Sequence, residues 1–96
     1  MTVYVDDMIA EFGRMKMCHM FADSRAELDE MATKIGVQRK WIQSEGTYRE
    51  HYDICMSKRK LAVKHGAIEI GWRDVARTLR ERRAKAEPKS KGTADE

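Results

Sequence analysis

The sequence predicts a small single-domain α/β protein, a mainly parallel sheet flanked by about three helices, the last of them basic and followed by a polar tail. Three observations predict it. Short apolar or β-branched runs at 2–5, 17–22 and 67–70 alternate with segments whose apolar residues recur at helical spacing. Glycines at 36 and 66 stand where two of those helical segments stop. A chain of 96 residues has room for one core only.

Thr2-Val3-Tyr4-Val5 is β-branched and aromatic and is stopped by Asp6-Asp7, which reads as a buried strand running into a polar turn. Residues 8–16 carry mixed charges and Gly13 without a period, and read as an irregular connection into the apolar run 17–22. Ser24 followed by Glu27 is a capping box, after which Leu28, Met31, Ala32 and Ile35 mark one helical face up to Gly36. Residues 37–43 read as a third strand on Val37, Trp41 and Ile42, with a turn at 44–47. Residues 51–55 form another short extended segment, and Ser57 caps a second helix that stops at His65-Gly66. After the strand at 67–70, Trp72, Val75, Ala76 and Leu79 repeat the helical spacing until Lys85-Ala86. Residues 1–86 are thus assigned to one domain, and 87–96, starting before Pro88, to a disordered polar tail.

Charge separates the chain into two parts. Residues 1–72 hold 11 basic and 11 acidic side chains, whereas 73–96 hold 8 basic against 5 acidic. The basic arm suits nucleic-acid backbone or another anionic partner, or serves only as a solubilising end. It contains no aromatic residue, so stacking on bases is not part of that reading. The composition, 36% charged with no long apolar run, excludes a membrane-spanning helix, and two acids among the first seven residues are unlike a secretory signal. A cytoplasmic protein is expected. Cys18 and Cys55, without a CxxC pair, exclude a disulfide framework and a four-cysteine zinc site. Tyr4, Trp41 and Trp72 read as core or core-edge residues and the seven methionines as core filling.

The polar residues that interrupt this pattern are the candidate site. Asp6 and Asp7 follow the first strand, Asp23 follows the second, His19 lies inside an apolar run, and His51 and Asp53 share one face of an extended segment. Carboxylates suit magnesium or manganese, and imidazoles extend the choice to zinc. Asp6, Asp7, His19 and Asp23 are therefore candidate metal ligands, and His51 with Asp53 the candidate catalytic pair, a base with its orienting acid, with both also able to ligate. Lys58 and Arg59 open a helix against its dipole and are candidates for holding a phosphate. Each has a plainer reading as well: turn and cap roles for the aspartates, a backbone-bonded core histidine for His19, and solvated charge for Lys58 and Arg59.

The blocks Val3-Tyr4-Val5-Asp6-Asp7-Met8, Cys18-His19-Met20-Phe21-Ala22-Asp23, His51-Tyr52-Asp53-Ile54, Lys58-Arg59 and Gly66-Ala67, in this order, resemble a family of short bacterial and phage proteins of unknown function. The resemblance covers residues 2–73. It implies a common fold and a shared polar cluster at Asp6, Asp7, His19, Asp23, His51 and Asp53, without naming a substrate.

Three functional readings follow. The first is a polar site at strand ends that binds a divalent metal or a phosphate-bearing small ligand, and that carries out metal-assisted phosphoester hydrolysis if it is catalytic. The second is a non-catalytic accessory module that binds nucleic acid or a partner protein through Arg77, Arg80, Arg83 and Lys85. In the third, the acids and histidines are a hydrogen-bond network that supports the fold alone. A homodimer that completes the site is compatible with a domain of this size.

Overall fold

A computed structural model describes residues 2–12 and 15–86 of the chain. Strand β1 (Val3–Val5) and β2 (Ala10–Phe12) are followed by the long strand β3 (Met15–Ala22). Helix α1 (Arg25–Ile35) comes next, then a 3-10 turn at Arg39–Trp41. Strand β4 (Tyr52–Cys55) leads directly into α2 (Met56–Lys64), and β5 (Ile68–Glu69) leads through a 3-10 turn, Trp72–Asp74, into α3 (Val75–Ala86).

The sheet is mixed rather than mainly parallel. β3 pairs antiparallel with β1, β2 and β4, and β1 pairs parallel with β5. Met20 faces both Val5 and Tyr52, and Met17 faces both Ala10 and Cys55, so β1 and β2 lie along one edge of β3 and β4 along the other. The five strands therefore occupy four positions, β4–β3–β1–β5. The reason is the way the chain enters β3. Only two residues separate β2 from β3, far too few for the crossover of a dozen or more residues that a parallel neighbour needs. The three residues of β2 lie in the segment read as irregular, where Glu11 breaks any apolar run.

Helix α1 is built as its sequence dictates. The Ser24 hydroxyl accepts the Glu27 N–H at 3.3 Å and donates to the Glu27 carboxylate at 3.1 Å, and Gly36 closes the helix at φ 84°. Leu28, Met31, Ala32 and Ile35 are buried. They pack with Val5, Cys18, Met20, Ala22, Tyr52, Ile54 and Ala62 in the larger core, between the sheet and helices α1 and α2. Cys55, not Ser57, is the residue before α2. Residues 37–43 contribute no strand. They hold the 3-10 turn and a single bridge from Gln43 to His51, because the chain reverses at once through 44–50.

The other face of the sheet is only half covered. Tyr4 and Phe21 pack under Val75 and Leu79 of α3 in a second, smaller core. α3 starts at Val75 rather than at Trp72, and Trp41 and Trp72, read as core or core-edge residues, are exposed and belong to neither core, whereas Tyr4 is buried. Met8 and Met15 are likewise exposed, while Met20 and Met31 fill the core. Among the described residues no helix is long and apolar enough to cross a membrane. The expected tail at 87–96 lies outside the described residues.

Candidate metal centre

Strand alternation places Cys18, Met20 and Ala22 in the larger core and leaves Met17, His19 and Phe21 on the face that α3 half covers. β4 alternates in the same way: Tyr52 and Ile54 point into the core, Asp53 to the other face. Direct pairing of His19 with Asp53 then sets the imidazole beside the carboxylate.

A bulge supplies the next residue. Between the pairs Val5–Met20 and Ala10–Met17, the β1–β2 line has Asp6, Asp7, Met8 and Ile9 opposite only Cys18 and His19. Such bulges re-aim side chains. Here the Asp6 N–H donates to the His19 carbonyl at 3.1 Å, and the Asp6 carboxylate turns back to take the place of a ladder carbonyl. One of its oxygens accepts the His19 backbone N–H at 2.9 Å, and the other accepts Nδ1–H of the His19 ring at 2.8 Å. Arg59 secures the bulge by donating from Nε to the Asp6 carbonyl at 3.1 Å, with its other end on Glu69 at 3.0 Å. The bond to Asp6 raises the His19 pKa above its ordinary value, with burial opposing it.

His51 is fixed by a different partner with the same result. Its Nδ1 lies 2.8 Å from the Arg49 carbonyl, an acceptor only, so Nδ1 carries the hydrogen. Both rings thus have Nδ1–H occupied and present Nε2. His19 Nε2 lies 3.7 Å and His51 Nε2 lies 3.5 Å from the same Asp53 oxygen, and the ring centroids are 5.1 Å apart and edge-on. One ligand atom from each of His19, His51 and Asp53 lies within 4.8 Å of the others. Neutral imidazoles would then aim two lone pairs at a carboxylate oxygen, three acceptors that need a cation among them. Two imidazole nitrogens and one carboxylate, with each Nδ1–H held by an outer partner, are a donor set that fits a divalent transition metal.

The other candidates are placed elsewhere. Asp7 accepts the Trp72 backbone N–H at 2.8 Å and so ties the bulge to the turn before α3. Asp23, at the far end of β3, is buried against the Tyr4 hydroxyl at 2.8 Å and two Arg82 nitrogens at 3.2 and 2.9 Å. Burial pushes its pKa up, but the bonds from Arg82 and Tyr4 outweigh it and hold the group below its ordinary value. Arg59 is committed to the bulge, and Lys58 lies on the wall of a neighbouring, mostly apolar groove of about 550 Å³ with Met17, Val37, Trp41 and Asp53. Arg83, read as a nucleic-acid contact, is buried and donates to the Ala22 carbonyl at 2.9 Å and to Glu50 at 3.1 Å. Arg77 pairs with Asp74 at 3.1 Å and Arg80 is exposed, while the side chain of Lys85 lies outside the described residues. Burial pushes the Cys18 thiol up to about 11, which removes it as a nucleophile.

A cleft of about 680 Å³ opens over His19 and His51. Phe21 lines it, with Met8 and Trp72 from one side and Ser44, Thr47, Tyr48 and Arg49 from the loop before β4. Sequence reasoning did not single out Tyr48 or Arg49. Arg49 stands two residues before His51, but the contact that matters locally is its backbone carbonyl, which residue type does not encode.

No curated protein and no solved structure matches the chain. The family described as protein of unknown function (DUF4031) matches residues 3–82, from β1 into α3 and past the limit of the resemblance seen in the sequence. With the match spanning every strand and the whole of the His19, His51 and Asp53 group, the chain belongs to that family.

Proposed function

We propose that this protein binds a divalent metal ion through His19 Nε2, His51 Nε2 and an Asp53 oxygen, and uses it for phosphoester hydrolysis in the adjoining cleft. The observation that carries the reading is the pair of occupied Nδ1–H groups, one on the Asp6 carboxylate and one on the Arg49 carbonyl, which turns both Nε2 lone pairs toward one carboxylate oxygen. His51 and Asp53 are then ligands rather than an acid–base pair, and Asp6 orients a ligand instead of being one.

His19, His51 and Asp53 would hold the ion with three protein donors, the number found at catalytic zinc centres. A divalent ion held there supplies Lewis acidity toward a phosphoryl oxygen and a water molecule. In the hydrolysis, the water oxygen bonds to phosphorus as the ester P–O bond breaks, and a water proton leaves with the released alcohol. The protein's part is to fix the two rings, through Asp6 and the Arg49 carbonyl, and to shape the cleft.

The test is the thermal midpoint of chelator-treated protein, alone and with magnesium, manganese or zinc. Binding to the folded state alone adds about 2.7 kcal/mol at a metal concentration one hundred times Kd. A rise with manganese or zinc greater than with magnesium is expected from two imidazole donors. No rise with any of the three removes the metal centre and, with it, this reading.

A further inference from the structure

The walls of the cleft carry information about its ligand that the metal group does not. The loop before β4 contains Glu45, Arg49 and Glu50. Both acids are neutralised: Glu45 by Arg25 at 3.1 Å, and the buried Glu50 by Arg83 at 3.1 Å and Arg25 at 3.6 Å. Arg49 has no ion-pair partner among the described residues, so its guanidinium is the uncompensated charge of this wall. Among the described residues Asp6 is the one acid lining the cleft, with both oxygens occupied by His19. The Asp53 carboxylate next to it, 3.5 Å from His51 Nε2, is the charge that a bound metal would neutralise.

Across from Arg49 the lining is apolar and exposed. Trp72 is 47% and Met8 44% exposed, and Tyr48 beside Arg49 is 38% exposed. Large exposed apolar groups gathered at one concave site mark a binding surface. Trp72 is held in place from two directions, by the Asp7 carboxylate on its backbone N–H and by the Arg73 guanidinium 5.3 Å from its ring. A volume of about 680 Å³ is the size of a small-molecule site and too small for a folded partner.

We infer that the cleft takes a small phosphate monoester carrying a flat ring, of the nucleoside monophosphate class, with the phosphate between His19, His51 and Arg49 and the ring against Tyr48 and Trp72. This rests on the metal reading for the placement of the phosphate, but Arg49, Tyr48 and Trp72 belong to the cleft whether or not a metal is bound. A phosphate has oxygens enough to meet a metal and a guanidinium at once, and arginine offers a planar fork that suits it.

Trp72 supplies its own readout. Trp41→Phe removes the other tryptophan, which lines the neighbouring groove, and leaves Trp72 in the cleft wall as the sole tryptophan. Adenosine 5′-monophosphate, added with zinc, is expected to quench this signal saturably. Arg49→Ala should weaken that binding at least tenfold and Arg49→Lys by less, because the lysine keeps the charge but loses the fork. Tyr48→Ala should weaken the monophosphate while leaving inorganic phosphate, followed by competition, unchanged. Quenching that Arg49→Ala leaves unaltered overturns the inference, as does tighter binding of a single-stranded oligonucleotide than of the monophosphate. The thermal midpoint with zinc, measured on the same samples, separates the two readings. A midpoint that rises without monophosphate quenching leaves the metal centre standing and removes the ligand class. Quenching without any rise keeps the ligand class and removes the metal centre.

Discussion

Two polar groups belong to β3, His19 in its middle and Asp23 just past its last residue, and they solve the cost of burying charge in opposite ways. At Asp23 every carboxylate oxygen meets a donor, from the Tyr4 hydroxyl or from Arg82, and the group ties strand β3 to helix α3. At His19 the Nδ1–H is turned outward, onto Asp6, and with both imidazoles neutral what faces Asp53 is a set of acceptors. The first arrangement is complete without any further atom. The second is stable in its outer contacts and unsatisfied at its centre, and an unsatisfied centre is where a ligand gains most.

The sharpest way to break this comparison is to exchange the consequences of two aspartates. Asp53→Ala should abolish the metal-induced rise, about 2.7 kcal/mol at a hundredfold excess over Kd. In chelator it should change stability by no more than about 0.5 kcal/mol, because it leaves no buried partner stranded. Asp23→Ala should do the reverse. It strands the buried Tyr4 hydroxyl and costs about 2 kcal/mol in denaturant unfolding, while the metal response persists. If Asp53→Ala destabilised the chelated protein as much as Asp23→Ala does, the His19 group would be a structural network and nothing more.

Asp6→Asn probes the boundary between the two behaviours, since Asp6 is buried like Asp23 but serves the site. An asparagine can accept the ring Nδ1–H or the backbone N–H of His19, but its amide then presents a donor where the second acceptor was. Metal affinity is expected to fall by about tenfold or more, the usual consequence of losing an outer-shell carboxylate. Isothermal titration with zinc measures it. An unchanged affinity would mean that Asp6 holds the strand bulge and not the imidazole.

These contrasts also show which parts of the molecule can be read without coordinates. Helix α1 was legible from Ser24 to Gly36 because cap, apolar face and stop are all local signals, and the structure has each of them. The common face of Met17, His19 and Phe21 was legible for the same reason, since alternation needs only the strand assignment. The union of His19, His51 and Asp53 was legible as residue types but not as a set. The register of β3 with β4 decides it, and the same reasoning drew in Asp23, which the sequence places after an apolar run but the fold gives to Arg82, 59 positions away. Arg83 was misread because a run of arginines looks uniformly solvated, whereas the helix turns this one inward onto Glu50. The mixed sheet was missed because three residues of β2 carry too short a signal to reveal that β3 is entered by a hairpin.

The smallest effect distinguishes the two groups by the sign of their pH response. Asp23 has a folded pKa below its ordinary 3.8, so its contribution is present above about that pH and is lost as pH falls through the folded value. His19 has a folded pKa above its ordinary 6.5, so in metal-free protein its contribution is present below that pH and is lost as pH rises through the folded value. In chelator, stability should therefore rise modestly from pH 8 to pH 6 and fall again below pH 4. Asp23→Ala should shrink only the acid limb, which Asp29 shares, and Asp6→Asn only the limb above pH 6, because the first removes one lowered carboxylate and the second removes the charge that favours the His19 imidazolium. Denaturant midpoints at four pH values suffice to test it. A single variant that flattened both limbs would show that the His19 and Asp23 groups act as one network, and the contrast between a finished anchor and an open centre would no longer hold.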